Sequence, residues 1–411
     1  MTLSPPLGPA EAPAASDALI ARLKRIGVVW ALVAAAVYLL DLAHQIRVGL
    51  TNGAGRPLGD DFINYWTGGR LALTGSAGDV YDGPAYHAFQ QHLVHGTIQA
   101  YHFSYPPVAL LLLAPLGLIP YAPALVAWLA ASAVAYWRTV RSVAGRSALL
   151  LALATPALFI NAVGGQNGAW SAALLGGGLC LLDRRPWIAG GLFGLLIYKP
   201  HLGPLIPLAL LAGRRWKPLA SAALTAGGLI ALSVLVFGVQ SWADYAHNLG
   251  VMRRLELEDG SGVWQRMVSV FVMARRLGAP VMLAYGLQAL SALCAAGLAA
   301  WLWLKDAPAP RRCAGLILGA CLATPYLQDY DLVMLTFAAA WIAAPGLAGP
   351  VRDKAALAAA GLLMIAPLVA APLGRATGLS LGVLLLLPAV AVVVRGPQPG
   401  NASANSVLAV A

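Results

Sequence analysis

Charge is what this chain has least of. Asp, Glu, Lys and Arg together make up only 10% of its 411 residues, against about 25% in soluble domains, and that shortage excludes an ordinary water-soluble fold. Cysteine is scarcer still: Cys180, Cys294, Cys313 and Cys321 all lie within or at the ends of apolar runs. A disulfide framework and a thiolate metal site are therefore not expected. Acidic residues number 16 against 27 basic ones, but the basic residues fall in short clusters between apolar runs. Such clusters orient a chain in a bilayer and make no continuous footprint for nucleic acid, so no nucleic-acid partner is expected.

What remains is apolar: 59% of the residues are hydrophobic. A helical crossing needs roughly 17–25 apolar residues, and the runs suffice for about 11–13 of them. With 44 Gly and 28 Pro among abundant Ala and Leu, the expected fold class is all-α, a polytopic membrane bundle packed through small residues, and not an outer-membrane barrel.

Charge placement divides the chain. Residues 1–17, rich in Pro, Ala and Ser, are expected to form a disordered tail, 18–395 the membrane domain and 396–411 a polar flexible tail. Arg22, Lys24 and Arg25 precede the apolar run 27–43, which reads as an uncleaved first helix with its N-terminus in the cytoplasm. The stretch 44–104 is then extracytoplasmic and too long for a simple connector. Within it 84–95 reads as an amphipathic helix on the membrane surface, begun at Pro84. Later Arg and Lys clusters stay inside, and 238–280 is a second outer segment. The run 105–137, broken at Pro115 and Pro120, fits one kinked helix or a re-entrant piece plus a helix. Two short apolar runs, 187–198 and 201–212, meet at Lys199-Pro200-His201, the pattern of discontinuous helices around a cavity.

On this topology Asp60, Asp61, Tyr105, Gln166, Asn167, Lys199 and the run Gln328 to Asp331 all reach one face, and the Arg clusters take the other. Polar groups gathered at helix ends in an apolar protein mark a site. Asp60-Asp61-Phe62-Ile63-Asn64-Tyr65-Trp66 is its centre: adjacent carboxylates raise one another's pKa and make a better base. The blander reading is a cap for a helix starting at Phe62. Lys199 has its own plain alternative in snorkelling to an interface, and Asp331 in pairing with a buried Arg. His87, His92, His95 and His102 match no strong metal spacing, so no metal site is expected.

At Asp61-Phe-Ile-Asn-Tyr65, Gly75 to Tyr81, Tyr105-Pro106-Pro107, Gly165-Gln166-Asn167, Lys199-Pro200 and Tyr330-Asp331, the sequence resembles glycosyltransferase family 87. This GT-C family includes polyprenol-phosphate-mannose-dependent alpha-mannosyltransferases. The resemblance implies a GT-C membrane enzyme of a bacterial-type inner (plasma) membrane, its active site on the extracytoplasmic face. It would move a hexose, mannose first, from a polyprenyl-phosphate donor to a glycolipid or glycan acceptor, with no cofactor beyond that donor and no divalent metal. Asp61 matches the family's base through its D-x-x-x-Y spacing to Tyr65, with Asp60 as alternate. The chemistry also requires groups on the departing phosphate, for which Lys199 and Arg266 are candidates. Tyr65, Trp66 and Tyr105 offer faces for sugar rings, and Gln166, Asn167, Gln328 and Asp331 offer bonds to hydroxyls. Two rivals are a transporter or lipid flippase, which would show a related second half, and an O-antigen-ligase-like enzyme with essential Arg and His within 238–280.

Overall fold

The computed structural model describes residues 12–47, 55–94, 96–260, 262–348 and 353–396. These residues form helices joined by short loops, with one isolated antiparallel bridge between Met267 and Gln328. Helix α1 (Ala12–Arg47) runs beyond both ends of the apolar run 27–43 and begins inside the stretch expected as a tail. Of the expected tails, residues 1–11 and 397–411 lie outside the described residues.

The first loop region holds α2 (Phe62–Leu73), a 3₁₀ turn at Ala77–Tyr81 and α3 (Gly83–Val94). The helix expected at 84–95 is present, but its apolar side does not face a membrane surface. Tyr86 is fully buried, its hydroxyl donating to the Asn64 carbonyl at 2.6 Å, so α3 is docked on α2. Burying an aromatic ring against a neighbouring helix removes more area from water than resting it at an interface.

Helices α4 (Pro107–Gly117) and α5 (Tyr121–Ala144) begin a pair bent by 119° at the break between them. One kinked rod would bend far less, so the chain doubles back here. α2 and α4 cross with their backbones in contact: a Cβ at Gly69 would strike the Leu113 carbonyl, and one at Gly117 would strike Gly69 and Arg70. This crossing locks the C-terminal half of α2 onto that of α4, and the Tyr65–Tyr105 hydroxyl contact at 3.0 Å joins them nearer their starts.

Next come α6 (Ala148–Leu153), α7 (Pro156–Val163), α8 (Gly168–Leu181), α9 (Pro186–Leu195) and α10 (Leu205–Ala212). Between α9 and α10 two 3₁₀ turns, Leu196–Tyr198 and Pro200–Leu202, flank Lys199. The break expected at Lys199-Pro200-His201 is therefore real, because Pro200 has no N–H to continue a helix. α11 (Trp216–Met252) is interrupted only at Gly238 (φ 78°, ψ 162°) and passes into a π turn at Arg253–Glu258. Much of the expected outer segment 238–280 is thus helical. α12 (Val270–Arg276), α13 (Val281–Leu304), α14 (Ala309–Ala323), α15 (Leu335–Ala348), α16 (Lys354–Thr377) and α17 (Leu387–Arg395) complete the bundle.

Three helical stretches among the described residues are long and apolar enough to cross a bilayer alone: Trp216–Glu258, Val281–Leu304 and Lys354–Thr377. The most apolar part of the first is only 6% buried within the protein, and Leu235 and Met282 are 82% and 80% exposed. Apolar surface on that scale requires lipid as its solvent. The protein is a multi-pass membrane protein, with much of its remaining apolar length in shorter, broken helices.

At one end the loops carrying Asp183, Arg215 and Asp306 meet Arg312 of the first turn of α14 in an ion-pair network, with Arg312 at 3.0 Å from Asp183 and 2.6 Å from Asp306, and Arg215 at 2.8 Å from Asp183. From this network α8, α9 and α14 each lead to the loops at 166–167, 199 and 328. A helix of 15 residues such as α14 spans about 22 Å at 1.5 Å per residue. The polar groups at the far ends of these helices form the second cluster.

Candidate active site

Gly165 sets the geometry of this cluster. Its φ of +58° and its contact with Gly59 and Phe62, where a Cβ would collide, press the 164–168 turn onto the start of α2. Gln166 is thereby held against Asp61, its Nε2 donating to the Asp61 carboxylate. Gly168 does the same on the other side, lying against the Tyr330 carbonyl with no room for a Cβ. That contact brings Asn167 to Lys199 and Asp331.

A chain of hydrogen bonds follows. Tyr65 donates to Gln166 Oε1 at 2.8 Å, so its oxygen is left to accept from the Tyr105 hydroxyl at 3.0 Å. Asn167 Nδ2 donates to Tyr105 at 2.8 Å, and Lys199 Nζ donates to Asn167 Oδ1 at 2.8 Å and to Asp331 Oδ1 at 2.5 Å. Residues from five separate stretches of sequence thus form one connected network. In a buried setting such linked bonds hold each side chain in place.

The network borders a cavity of about 340 Å³ lined by Asp61, Asn64, Tyr65, Tyr105, Gln166, Lys199, His201, Glu256, Gln328 and Tyr330 among others. Asp61 precedes the first residue of α2 yet makes no side-chain cap bond. The capping role therefore does not account for it. Burial, and next the Asp60 carboxylate, push its carboxyl up to about 7, the Arg266 guanidinium pulling it back in part. Asp60 is occupied elsewhere: at φ 44° it takes the Tyr101 hydroxyl at 2.5 Å and lies 3.9 Å from Arg56.

The two candidate cations are both paired. Lys199 is buried with Asp331, but an ammonium has three donors, and two of them are used. Its Nζ also stands 4.7 Å from the centre of the Tyr330 ring. Arg266 binds both oxygens of Asp329, Nε at 3.2 Å from each and Nη2 at 3.1 Å from Oδ1, and its guanidinium carbon lies 5.7 Å from the centre of the same Tyr330 ring. The bridge of Met267 to Gln328, with Val268 N donating to Leu327 O at 2.8 Å, holds it there.

Not every residue expected at the site reaches the cavity. Trp66 points its Nε1 to the Ile119 carbonyl at 2.9 Å and packs edge-on against Tyr121, fixing α2 to the 118–121 turn. Asp331, fully buried, is used by Lys199 and by the backbone N–H of Gln328. Of the histidines, His87 bonds the Ile98 carbonyl at 2.8 Å, and His95 lies outside the described residues. The sequence reading missed Glu256, Asn64 and His201. Glu256 accepts from Ser104 at 3.3 Å and adds a second carboxylate to the lining; its signal was an acid within an otherwise apolar, basic chain.

A second cavity, of about 250 Å³, shares Tyr65 and Tyr105 with the first and, apart from Asn167 and Tyr198, is otherwise apolar, bounded by Leu112, Leu113, Trp128, Trp170, Leu174 and Leu195. The Tyr65–Tyr105 pair is the wall between the wet cavity and this dry one.

The family model for glycosyltransferase family 87 matches residues 103–325. The chain belongs to glycosyltransferase family 87. No match is found among curated proteins or among solved structures. The matched stretch contains Tyr105, Gln166, Asn167, Lys199 and Arg266, whereas Asp61, Tyr65, Gln328 and Asp331 join it through the network just described. A membrane glycosyltransferase needs a base for the incoming hydroxyl and donors for the leaving group. A carboxyl near 7 in a polar cavity and a buried lysine with a donor to spare are groups of those kinds.

Proposed function

We propose that this glycosyltransferase moves a hexose, mannose first, from polyprenyl phosphate to an extracytoplasmic glycolipid or glycan, with inversion and with Asp61 as base. The observation that carries this reading is the shared wall between a polar cavity and an apolar one at Tyr65 and Tyr105. A lipid-linked sugar has one greasy part and one polar part, and adjoining cavities of those two characters suit it.

In the reaction the acceptor hydroxyl gives its proton to the Asp61 carboxylate as its oxygen bonds the anomeric carbon. The bond from that carbon to the phosphate oxygen breaks, and the electron pair leaves on polyprenyl phosphate. Lys199 offers its remaining donor to that phosphate, and Arg266, beside the Tyr330 ring, adds positive potential. Gln166 orients Asp61, and Tyr65, Tyr105, Asn167 and Gln328 flank the sugar. The ion-pair end of the bundle would face the cytoplasm by the positive-inside rule, which puts the polar cavity outside.

The test is transfer by purified protein from labelled polyprenyl-phosphate mannose to glycolipid acceptors. Product with wild type and none with Asp61→Asn is expected; equal turnover by both removes Asp61 as base. Labelling of Gln99→Cys but not of Lys217→Cys by an impermeant thiol reagent on intact cells is the matching result for topology, and the reverse pattern overturns it.

A further inference from the structure

Two polar atoms in the lining of the active cavity have no partner. Asn64 is 7% exposed, and its Nδ2 donates to the His102 carbonyl at 2.6 Å. A carbonyl only accepts, so the amide cannot be turned round, and Oδ1 is left buried without a hydrogen bond. Across the same cavity His201 Nε2 is also buried and unpaired. A buried acceptor without a donor costs about 1–3 kcal/mol, and in the lining of a polar cavity the partner that offsets this cost is a bound ligand or the water it displaces.

We propose that Asn64 is the residue that reads the transferred sugar, its Oδ1 accepting from one hydroxyl of that ring while His201 Nε2 meets another. This rests on the donor reading above. With the lipid part placed behind Tyr65 and Tyr105, the sugar lies between that wall and Asp61, and Asn64 is adjacent to both. Its backbone N–H bonds the Asp61 carbonyl at 3.0 Å in the first turn of α2, so base and amide stand one turn apart on one side of the cavity, about 5 Å along the axis. Asp61 serves the hydroxyl that is joined, and Asn64 a hydroxyl that is only recognised. A site built to bond a hydroxyl rejects the analogue lacking it far more strongly than an apolar pocket rejects a change in size.

The experiment measures kcat/KM for polyprenyl-phosphate mannose and its 2-, 3-, 4- and 6-deoxy forms, with wild type, Asn64→Ala and Asn64→Asp. Wild type is expected to lose about ten- to a hundredfold on at least one deoxy donor. Asn64→Ala loses a similar factor on the parent sugar and under threefold on that deoxy form. Asn64→Asp keeps an acceptor in the cavity, gives up the bond to His102 and adds a carboxyl group beside Asp61, so its rate falls on every donor while the discrimination between parent and deoxy sugar is retained. If Asn64→Ala slows all five donors alike, Asn64 merely anchors the 102 loop and the proposal fails. It fails equally if wild type transfers all five at one rate. Absence of transfer from any donor by wild type instead overturns the donor reading, and this assignment with it.

Discussion

The Asp60 carboxylate is the perturbation best suited to test whether Asp61 is the base. Among the charges acting on Asp61 it is the largest, second only to burial in raising that carboxyl to about 7. Two charges about 6 Å apart at an effective dielectric near 20 interact by roughly 3 kcal/mol. Burial carries the greater part of the rise, so about 1.4 kcal/mol, one pH unit, is assigned to Asp60. The base must be ionised to act. In wild type kcat/KM therefore falls tenfold per pH unit below about 7 and levels off above it. Asp60→Asn is expected to move that acid limb towards pH 6 with little change in the plateau, because Asn still accepts from Tyr101. Asp61→Asn removes the limb together with about 10²–10⁴ of the rate. The assay is a pH profile of kcat/KM at constant ionic strength from pH 5 to 9. A limb that stays at 7 in Asp60→Asn refutes the electrostatic reasoning, and a limb that survives in Asp61→Asn assigns the titration to another group.

The same shift has a consequence for stability. A carboxyl raised above its unfolded value near 3.8 binds its proton more tightly in the fold, so it favours folding fully at low pH and that contribution is lost as pH rises from about 4 through 7. Asp61→Asn should therefore be more heat-stable than wild type at pH 8, by about 2 kcal/mol once partial access through the cavity is allowed for, and equal to it at pH 4; thermal scans at both pH values check the sign. Lys199→Met leaves Asp331 buried without its counter-ion and is expected to cost about 3–5 kcal/mol, whereas Lys199→Met with Asp331→Leu recovers stability in a melt and stays inactive in the transfer assay. Gly165→Ala meets both a left-handed backbone and the Phe62 side chain, so it should lower activity by detaching Gln166 from Asp61, read as a drop in kcat larger than the change in melting temperature explains.

How much of this the sequence disclosed depends on the kind of signal. Apolar length and charge clusters are local, and they placed the long helices α13 and α16, the break at Lys199-Pro200 and the common face of Asp61, Gln166, Lys199 and Gln328. The doubling back at Pro115 to Pro120 was open because two prolines are equally compatible with a kink and a reversal; the 119° bend shows the reversal, and the packing of α4 on α2 at Gly69 and Leu113 is a pairing of distant residues that no local signal carries. Trp66 was grouped with Tyr65 because both are aromatic neighbours of Asp61, yet each helical residue turns about 100° from the last, and with Asn64 and Tyr65 on the cavity side Trp66 is carried round to the 118–121 turn. The docking of α3 on α2 was hidden for a similar reason, since an amphipathic face does not say whether lipid or protein covers it. Asn64 stood inside the quoted stretch throughout. Its importance lies in a missing bond, and absence of a partner has no sequence signature.

The tyrosine pair between the two cavities has one more implication. A sugar ester bound across it would have its reactive carbon on the side that admits polar molecules and its hydrocarbon on the side that water leaves, with two interlocked hydroxyls as the seal. Weakening that seal, by Tyr105→Phe for instance, lets solvent compete with the intended alcohol. The enzyme would then squander its substrate as free sugar, and the ratio of hydrolysis to transfer would measure how well two phenols hold oil and water apart.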